Sequence, residues 1–354
     1  TQKPGVLLSN PAEAIEVRTY TGKQKVMRHY PESFLTYFVV CLGIEQRIGD
    51  VKLIRVSSCF ASGCFPTKLS FLACFAIRPE PGKHHVSLKF GQTKDDMKSL
   101  YEEDVEESHP LEEFRRNPEI KLEFEREANC YLELWLDSYR LARKPLIMRK
   151  MLVELMEAKN PTEELFIKQH DALLEDQAKC HDPELDSGQA ILSYFVPCGR
   201  AQVKEDEILF EGIGETVIPP KYPAQISYQL ASGFRIKQGQ YRVRVDLVET
   251  ASRLITPVTT AAIEALHEFR DVQIFGAIVL TFPRPGVYVL DQFVNDVRVA
   301  RSHFLADDIN NPMAYKLREE EIERVKKGET LMMVRNAINI SSMTAEEASK
   351  IEAL

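Results

Sequence analysis

The feature that most constrains the fold of this chain is an internal repeat. Residues 37–90 align without a gap on residues 194–247, and residues 122–143 align on residues 280–301. The displacements are 157 and 158 residues, so the two alignments share nearly the same shift. The identical residues include Tyr37, Phe38, Val39, Cys41, Pro66, Ser70, Gly82 and Val86 in the first alignment, and Leu122, Phe124, Arg126, Leu132, Arg140, Ala142 and Arg143 in the second. We therefore expect two copies of one domain.

The repeat divides the chain into five segments. A chain of 354 residues is too long for one hydrophobic core, and 44% apolar with 28% charged residues is the composition of a globular protein. We predict an N-terminal extension over residues 1–31, a first β-sandwich domain over residues 32–148 and a helical linker over residues 149–190. A second sandwich domain is predicted over residues 191–308 and a helical region over residues 309–354.

Each copy shows the pattern of antiparallel strands. In the second copy Tyr241, Val243 and Val245 alternate with charged or polar residues, which is the period of a strand with one buried face. Gly82 and Gly239 precede the equivalent strands, where a hairpin turn requires a residue that tolerates positive φ. Short strands with turns between them, and no helix of crossover length, predict a mainly β antiparallel sandwich or barrel. The remaining strands are predicted over residues 69–77, 84–90, 226–236, 277–282, 287–294 and 297–304.

Helices are predicted between and after the copies. Residues 145–158 are rich in Leu, Met and Glu, and residues 160–164 combine a capping side chain, a proline and two acids, as at a helix start. A further helix is predicted over residues 311–328, which also begin with a capping side chain and a proline and end in a glycine. Thr344 and Glu347 fit a capping box for a last short helix.

The copies differ most between their two aligned blocks. The first copy carries an acidic run over residues 101–113, and the second carries an apolar and hydroxyl stretch over residues 253–269. Two domains with different contacts would differ in this way. An acidic run of this kind is usually a solvated loop, and the alternative is a site for a partner.

The net charge and the cysteines limit which partners and which cellular compartment we expect. A net charge of −8 argues against nucleic acid, because phosphate binding depends on clustered Lys and Arg. Residues 1–17 lack a secretory signal, and no stretch approaches the ~20 apolar residues that span a bilayer. The seven cysteines are an odd, scattered set, which is typical of reduced thiols. We expect a soluble cytoplasmic protein that binds neither nucleic acid nor membrane.

The common catalytic and cofactor motifs are missing, including phosphate loops, zinc-finger spacings, HExxH and GxSxG. Cys59 and Cys64 could form a redox pair or half a metal site, but no second pair accompanies them. Cys180 and His181 are adjacent, and adjacent side chains diverge on a strand or helix, so a catalytic pair is not expected. His84 and His85 alternate in the same way on a predicted strand. We expect no cofactor, no metal and no catalytic residue.

One polar pattern occurs in both copies. Residues 137–143 read DSYRLAR and residues 295–301 read NDVRVAR, each just after a predicted turn. We expect the first arginine of each pair and the second, three residues later, on opposite faces of the strand. Guanidinium groups bind carboxylates or stack on rings, so these residues could maintain the fold through ion pairs or dock an acidic partner. They are the candidate interaction residues: Arg140, Arg143, Arg298 and Arg301.

The second copy carries two turn motifs. Gly239, Tyr241 and Val243 form a Gly-x-Tyr-x-Val strand start, and residues 282–288 read Phe-Pro-x-Pro-Gly-x-Tyr, followed by the Asn-Asp turn at 295–296. Over residues 194–305 the chain resembles a family of small uncharacterised bacterial β-sandwich domains. The first copy, residues 37–148, resembles that family only through the second copy. The resemblance implies the fold and a bacterial source, and it transfers no activity and no catalytic residue.

These features together predict a non-catalytic protein that binds another protein through its two sandwich domains, as a scaffold or as a regulator that sequesters its partner. The alternative is a cysteine-dependent hydrolase or redox enzyme with Cys59, Cys64 or Cys180 as the reactive thiol. A ligand-binding role like that of lipocalins is a third hypothesis.

Overall fold

The fold is mainly β, as the sequence predicts, with helices only as connectors. The computed structural model describes residues 34–47, 49–107, 113–160, 162–204, 207–214, 216–269, 271–310 and 318–333. These described residues form twenty-one strands and three α-helices. The predicted N-terminal extension over residues 1–31 and the capping box at Thr344 lie outside them.

The first half of the chain consists of ten strands. They are β1 (Phe34–Arg47), β2 (Asp50–Val56), β3 (Cys59–Ser62), β4 (Thr67–Arg78), β5 (Gly82–Gly91), β6 (Lys98–Glu107), β7 (Phe114–Arg116), β8 (Glu119–Phe124), β9 (Ala128–Leu136) and β10 (Tyr139–Lys150). The strands predicted over residues 69–77 and 84–90 are confirmed by β4 and β5.

Two helices, α1 (Val153–Glu157) and α2 (Glu163–Lys179), and a 3₁₀ turn (Pro183–Ser187) connect the halves. The second half contains β11 (Ile191–Cys198), β12 (Arg200–Lys204), β13 (Glu207–Glu211), β14 (Thr216–Ile218), β15 (Ala224–Arg235), β16 (Gly239–Glu249), β17 (Ile255–Ala265), β18 (Val272–Phe282), β19 (Gly286–Val294) and β20 (Val297–Ala306). Helix α3 (Glu319–Lys326) and strand β21 (Leu331–Met333) follow. The five strands predicted in this half are confirmed by β15, β16, β18, β19 and β20.

Three sheets hold these strands, and one of them serves both halves. The shared sheet has ten strands in the order β12-β13-β2-β1-β11-β15-β18, with β4 also paired to β1 and carrying β7 and β8 on its other side. A five-stranded sheet, β3-β10-β9-β5-β6, covers the first half of it. A six-stranded sheet, β17-β16-β19-β20-β14-β21, covers the second half. Each half is thus a sandwich, and the two sandwiches have one sheet in common.

Corresponding strands lie 157 or 158 residues apart. Strand β4 matches β15 at both ends with a shift of 157, and β9 matches β19 with a shift of 158. The parallel pair β3 and β10 joins Cys59 to Ile147, and the parallel pair β14 and β20 joins Thr216 to Leu305. Gly82 and Gly239 have φ of 146° and 154°, as the hairpin prediction requires.

The shared sheet is joined in its centre by equivalent residues of the two halves. Strand β1 pairs with β11 at Tyr37 and Tyr194, and β2 pairs with β13 with Lys52 opposite Leu209. Both pairs are separated by 157 residues, so the halves meet antiparallel across an approximate two-fold axis. A core cluster at this junction takes equivalent side chains from both halves: Tyr37, Val39, Cys41, Val51 and Leu53 with Tyr194, Val196, Cys198, Ile208 and Phe210.

Each sandwich has its own core, built by the alternation of the strands. In the first half Phe38, Phe75 and Leu134 belong to one cluster, and in the second half Phe195 and Leu290 belong to another. Burial of side chains of this size stabilises the fold by about 1.5–3 kcal/mol each.

The helix predicted over residues 145–158 is wrong for its first part. Residues up to Lys150 continue β10, where Leu146 pairs with Cys130 and Pro145 with Tyr131. The Leu and Met residues there are buried between sheets, so they belong to the core side of a strand and do not form the apolar face of a helix. Helix α1 begins only at Val153.

The acidic run over residues 101–113 is also not a loop in its first part, and residues 108–112 lie outside the described residues. Residues 98–107 form β6, which pairs along its length with β5. The apolar stretch of the second half forms β17, which pairs with β16 in the same way. The predicted helix start at residue 311 lies outside the described residues, and α3 ends at Lys326, just before Gly328 with φ of 97°.

Candidate interaction surface

The arginines that both halves share lie on β10 and β20. The prediction that Arg140 and Arg143 point to opposite faces is wrong. Arg140 pairs with Trp135 and Ala142 with Leu134, so Leu141 is an extra residue, a β-bulge. The bulge brings both guanidinium groups to Glu133, at 2.9 Å for Arg140 and 3.5 Å for Arg143. Val299 forms the same bulge between Arg298 and Ala300 on β20.

The linker provides the other carboxylates of this cluster. Arg143 Nη1 donates to Asp182 Oδ1 at 3.0 Å, and Glu184 accepts from Arg140 at 2.6 Å. Arg235 Nη1, from the second half, donates to Asp182 Oδ2 at 3.0 Å. Asp182 is 0% exposed and Arg235 1%. The buried carboxylate therefore ties β10 of the first half to β15 of the second through the linker.

A second buried contact joins the halves beside this one. Lys144 Nζ of β10 donates to Asp271 Oδ2 at 2.6 Å and also to Ser193 Oγ. Ser193 Oγ donates in turn to Asp271 Oδ1 at 2.7 Å. Burial acts to raise the pKa of Asp271, but Lys144 and these hydrogen bonds outweigh it and hold the pKa below its usual range. Burial lowers the pKa of Lys144.

The first half has an equivalent of this site. Arg78, Glu113 and Thr36 lie at the positions of Arg235, Asp271 and Ser193. Arg78 Nη2 donates to Glu113 at 3.1 Å, and Thr36 Oγ1 donates to the same oxygen at 2.8 Å. Burial would raise the pKa of Glu113, yet Arg115 and Arg78 hold it below its usual range. The contact between hydroxyl and carboxylate therefore recurs in both halves, whereas the cation that binds the carboxylate is Arg78 in the first half and Lys144 in the second.

On β20 the ion pair is simpler. Arg301 binds Asp291 through Nε at 2.6 Å and Nη2 at 2.7 Å, and Asp291 is the equivalent of Glu133. Arg298 lies opposite Phe293. Arg140, Arg143 and Arg301 therefore already bind carboxylates of their own chain, which agrees with a role in maintaining the fold through ion pairs. Their use by a partner stays a prediction.

The candidate cysteines Cys59 and Cys180 lie beside one apolar cluster. Burial raises the pKa of Cys59 to about 11 and also raises that of Cys180. Both pack near Tyr131 and Phe269, while Cys64 is exposed in the turn after β3. A reactive thiol needs a lowered pKa, so Cys59 and Cys180 lack this property.

The candidate histidines bind separate carboxylates. His84 Nδ1 lies 2.9 Å from Asp137, and His85 Nδ1 lies 2.7 Å from Asp104. His181 lies between Glu268 and Asp186, which raise its pKa through their hydrogen bonds. Within the described residues no group of three or more His, Cys, Asp or Glu side chains is placed to hold a metal ion.

Sequence reasoning missed the buried Arg78 and Arg235. The two arginines occupy equivalent positions of the repeat, 157 residues apart, so the alignment of the copies shows that they match. It does not show that they are buried, because an arginine at the end of an apolar strand is usually exposed. Glu113 and Asp271, their neighbours, differ in residue type and follow strands that the two halves do not share in sequence.

The strands at the free edges of the first sandwich, which we call its open side, are charged. Strand β6 ends the five-stranded sheet and carries six charged residues in ten. Some are paired within the chain, as Glu103 is with Arg116. Strands β7 and β8, at the end of the shared sheet, carry five charged residues in nine. Charges on an edge strand discourage the addition of another strand.

The open side of the second sandwich lacks these charges. Strand β17 ends the six-stranded sheet, has Glu264 as its single charged residue and buries only Ala265. Leu254, just before it, and Ile255, its first residue, are 53% and 59% exposed. They line a shallow surface groove together with Ser252, Pro283 and three charged residues, Glu249, Arg253 and Arg284.

Strand β18 lies beside β17 at the end of the shared sheet. It has no charged residue and no proline, and it pairs with β15 in unbroken register over all eleven residues. Its even-numbered residues Ile278, Leu280 and Phe282 enter the core, whereas Val279 is 54% exposed. We refer to β17 with Leu254 and to β18 as the uncharged open side.

None of the helices in the described part of the chain has the length and apolar character needed to cross a lipid bilayer. No protein-family model matches the chain, and a search of curated proteins gives no match.

Solved structures match only weakly. An alkylpurine DNA glycosylase of Pseudomonas fluorescens, bound to DNA with an abasic site analog, is 11% identical with a TM-score of 0.20, and the match covers 26% of this chain and 27% of that chain. A putative lipoprotein from Bacillus anthracis is 14% identical with a TM-score of 0.19, over 31% of this chain and 85% of that one. The two tandem V-type regions of a v-region-containing chitin binding protein are 7% identical with a TM-score of 0.22, over 70% and 96%. These similarities are too weak to bear on fold or function.

Proposed function

We propose that this is a non-catalytic protein that binds another protein chain along its uncharged open side. The observation that carries the proposal is the difference between the two open sides. The same edge positions hold six charged residues in β6 and one in β17. An edge strand that stays in water carries charges or other blocking features. Strand β17 has few charges but contains Pro257 next to a β-bulge, whereas β18 has no charge, no proline and no bulge, so β18 is the strand that we propose to receive the partner.

The binding mode follows from the exposed groups of this side. An edge strand offers backbone N–H and C=O groups to an added strand, and side chains beside it select the partner. Leu254 and Ile255 supply exposed apolar anchors at one end of β17, and Val279 supplies one on β18. The partner chemistry is therefore an extended segment with apolar side chains and few charges.

Two of the candidate thiols, Cys59 and Cys180, favour a binding role over the cysteine enzyme, because burial raises the pKa of each. All seven described cysteines are free, and burial raises the pKa of Cys130 to about 11 and of Cys198 to about 12. Free thiols also fit the cytoplasmic placement that we include in the proposal.

The proposal includes a shared origin of the two halves as copies of one domain. The strand bounds, the parallel β3–β10 and β14–β20 pairs and the bulges at Leu141 and Val299 recur at the same shift. A duplicated chain that keeps charged edges in one copy and loses them in the other fits a scaffold or a sequestering regulator.

Affinity capture with quantified recovery tests this function. The double substitution Leu254→Glu and Ile255→Glu places two carboxylates on the uncharged open side, and we expect it to lose protein partners that the wild type retains from lysate of its source. The matched control is Val153→Glu with Phe166→Glu, which changes residues of 53% and 56% exposure on α1 and α2. Equal recovery by the wild type and the first variant would contradict the proposed surface.

A further inference from the structure

We propose that the chain that covers the uncharged open side is a second copy of this protein, paired β18 to β18 in antiparallel register about a two-fold axis at Ala277. The inference rests on the proposed function, because it names the partner of the same surface. It is argued from the self-complementary pattern of the edge strands.

Strand β18 has a palindromic pattern of polar and apolar residues. Around Ala277, antiparallel pairing of two copies places Phe275 opposite Val279 and Ile274 opposite Leu280. One step further out it places Gln273 opposite Thr281, and the strand ends are apolar on both sides. Apart from Gly276, which lies opposite Ile278, each class of side chain therefore meets its own class, as an isologous contact requires.

The pairing also matches the two faces of the sheet. A register centred on a residue pairs even-numbered with even-numbered positions, because strand side chains alternate with a period of two. Ile278 and Leu280, which enter the core, therefore stay on the core side, and Val279 stays on the outer side. The ten-stranded sheet would continue into that of the second copy without a change of face.

The neighbouring strand β17 carries a second, independent sign of the same symmetry. Leu254 and Leu266 are both strongly exposed, at 53% and 59%, and they lie six residues before and after Thr260, the midpoint of β17. Antiparallel apposition of two β17 strands brings Leu254 of one copy to the side of Leu266 of the other.

Regularity of β18 favours strand addition in this register. Its pairing with β15 contains no bulge, and the strand contains no proline or charge that would twist or block the edge. A partner with an unrelated sequence would not require the midpoints of both β17 and β18 to be centres of symmetry.

Disulfide trapping tests the register. Residues directly opposite each other have Cβ atoms about 4.5–5.5 Å apart, so the substitution Ala277→Cys places two thiols in bonding range across the axis. We expect a covalent dimer of Ala277→Cys on mild oxidation, in a background of Cys64→Ser that removes the exposed native thiol. The matched control is Gln273→Cys on the same strand, whose two copies would lie about 27 Å apart along the strands and would stay uncrosslinked.

Mass measurement tests the association itself. By sedimentation equilibrium we expect the wild type at twice the mass of one chain, and Val279→Glu to raise the dimer dissociation constant by roughly 100-fold or more, because two carboxylates would be placed against apolar neighbours. Val153→Glu, which changes a valine of equal exposure on α1, should remain a dimer. Thermal unfolding of each variant checks that the fold is kept.

The outcomes separate this inference from the proposed function. Suppose that the wild type sediments as a monomer and captures a different protein, and that Val279→Glu abolishes this capture. This result would refute the second copy as the partner, and it would leave the proposed binding surface supported. A monomer that captures nothing through this surface would overturn both. A dimer that survives Val279→Glu and gives no Ala277→Cys crosslink would overturn the β18 contact.

Discussion

The substitution Asp182→Asn is expected to destabilise the junction between the two halves. Asp182 is fully buried and its two carboxylate oxygens accept from Arg143 and Arg235, each at 3.0 Å. Arg143 has Glu184 as a further partner at 2.8 Å, whereas Arg235 makes its remaining side-chain hydrogen bond to the Arg143 carbonyl, at 2.9 Å. Removing one member of a buried ion pair costs about 3–5 kcal/mol, because the remaining charge is left uncompensated. An amide keeps one acceptor oxygen, so we expect about 3 kcal/mol, at the lower end of that range.

Urea unfolding followed by tryptophan fluorescence measures this loss. The single tryptophan, Trp135, donates to Glu133 at 3.0 Å within the same cluster, so its emission reports on the junction. We expect the midpoint of the transition to fall by roughly 1 M urea, from a slope of about 3 kcal/mol per M. The control is Asp296→Asn, which removes a 75% exposed carboxylate paired with Arg244 and should cost less than about 1 kcal/mol. An Asp182→Asn effect no larger than that of the control would refute the assignment of Asp182 as the charge partner of Arg235.

Two further predictions concern the second half. Gly233→Ala should destabilise the fold by about 1–3 kcal/mol, because the new Cβ would overlap the Tyr194 ring, whereas Gly276→Ala on the adjacent strand meets open space and should be neutral; thermal unfolding compares the two. Burial, reinforced by Arg78 and Arg301, holds the pKa of His303 well below its usual 6.5. The unfolded chain then binds a proton that the folded protein does not, so stability should fall as pH drops below about 6.5, by up to about 1.4 kcal/mol per pH unit. His303→Leu should flatten this dependence between pH 7.5 and 5.5 in urea unfolding, and an unchanged slope would contradict the buried neutral imidazole.

Strand positions could be predicted from the sequence because alternation is a local property. Tyr241, Val243 and Val245 show it directly, and β16 contains them. The prediction failed at residues 145–150, where the strand is buried on both sides and loses its alternation. A run of apolar residues of this length is ambiguous between helix and strand, and only the pairing with β9 decides it.

The candidate interaction residues were harder to predict, since their surroundings depend on tertiary contacts. The pattern of Arg140 and Arg143 is visible in the sequence, but the bulge at Leu141 that turns them to one side is not. The burial of Asp182 depends on two arginines that are 39 and 53 residues away. The difference in charge between the segments of β6 and β17 is visible in the sequence. Only the structure shows that both segments are edge strands.

The placement of charge also limits how far such an assembly can grow. The shared sheet begins at β12, whose five residues include Arg200 and Lys204, and it has further ends at β18 and at β7 and β8. If two of these ends accepted a further copy, each added molecule would expose a new end, and pairing would continue into a fibre. If the five charged residues among the nine of β7 and β8 block that end, the proposed pairing through β18 closes at two copies. The triple substitution Glu119→Thr, Lys121→Thr and Glu123→Thr removes the three charges of β8. We expect light scattering to show larger species of this variant whose mass rises with concentration. A mass equal to that of the wild type would show that the charges on β8 do not limit growth.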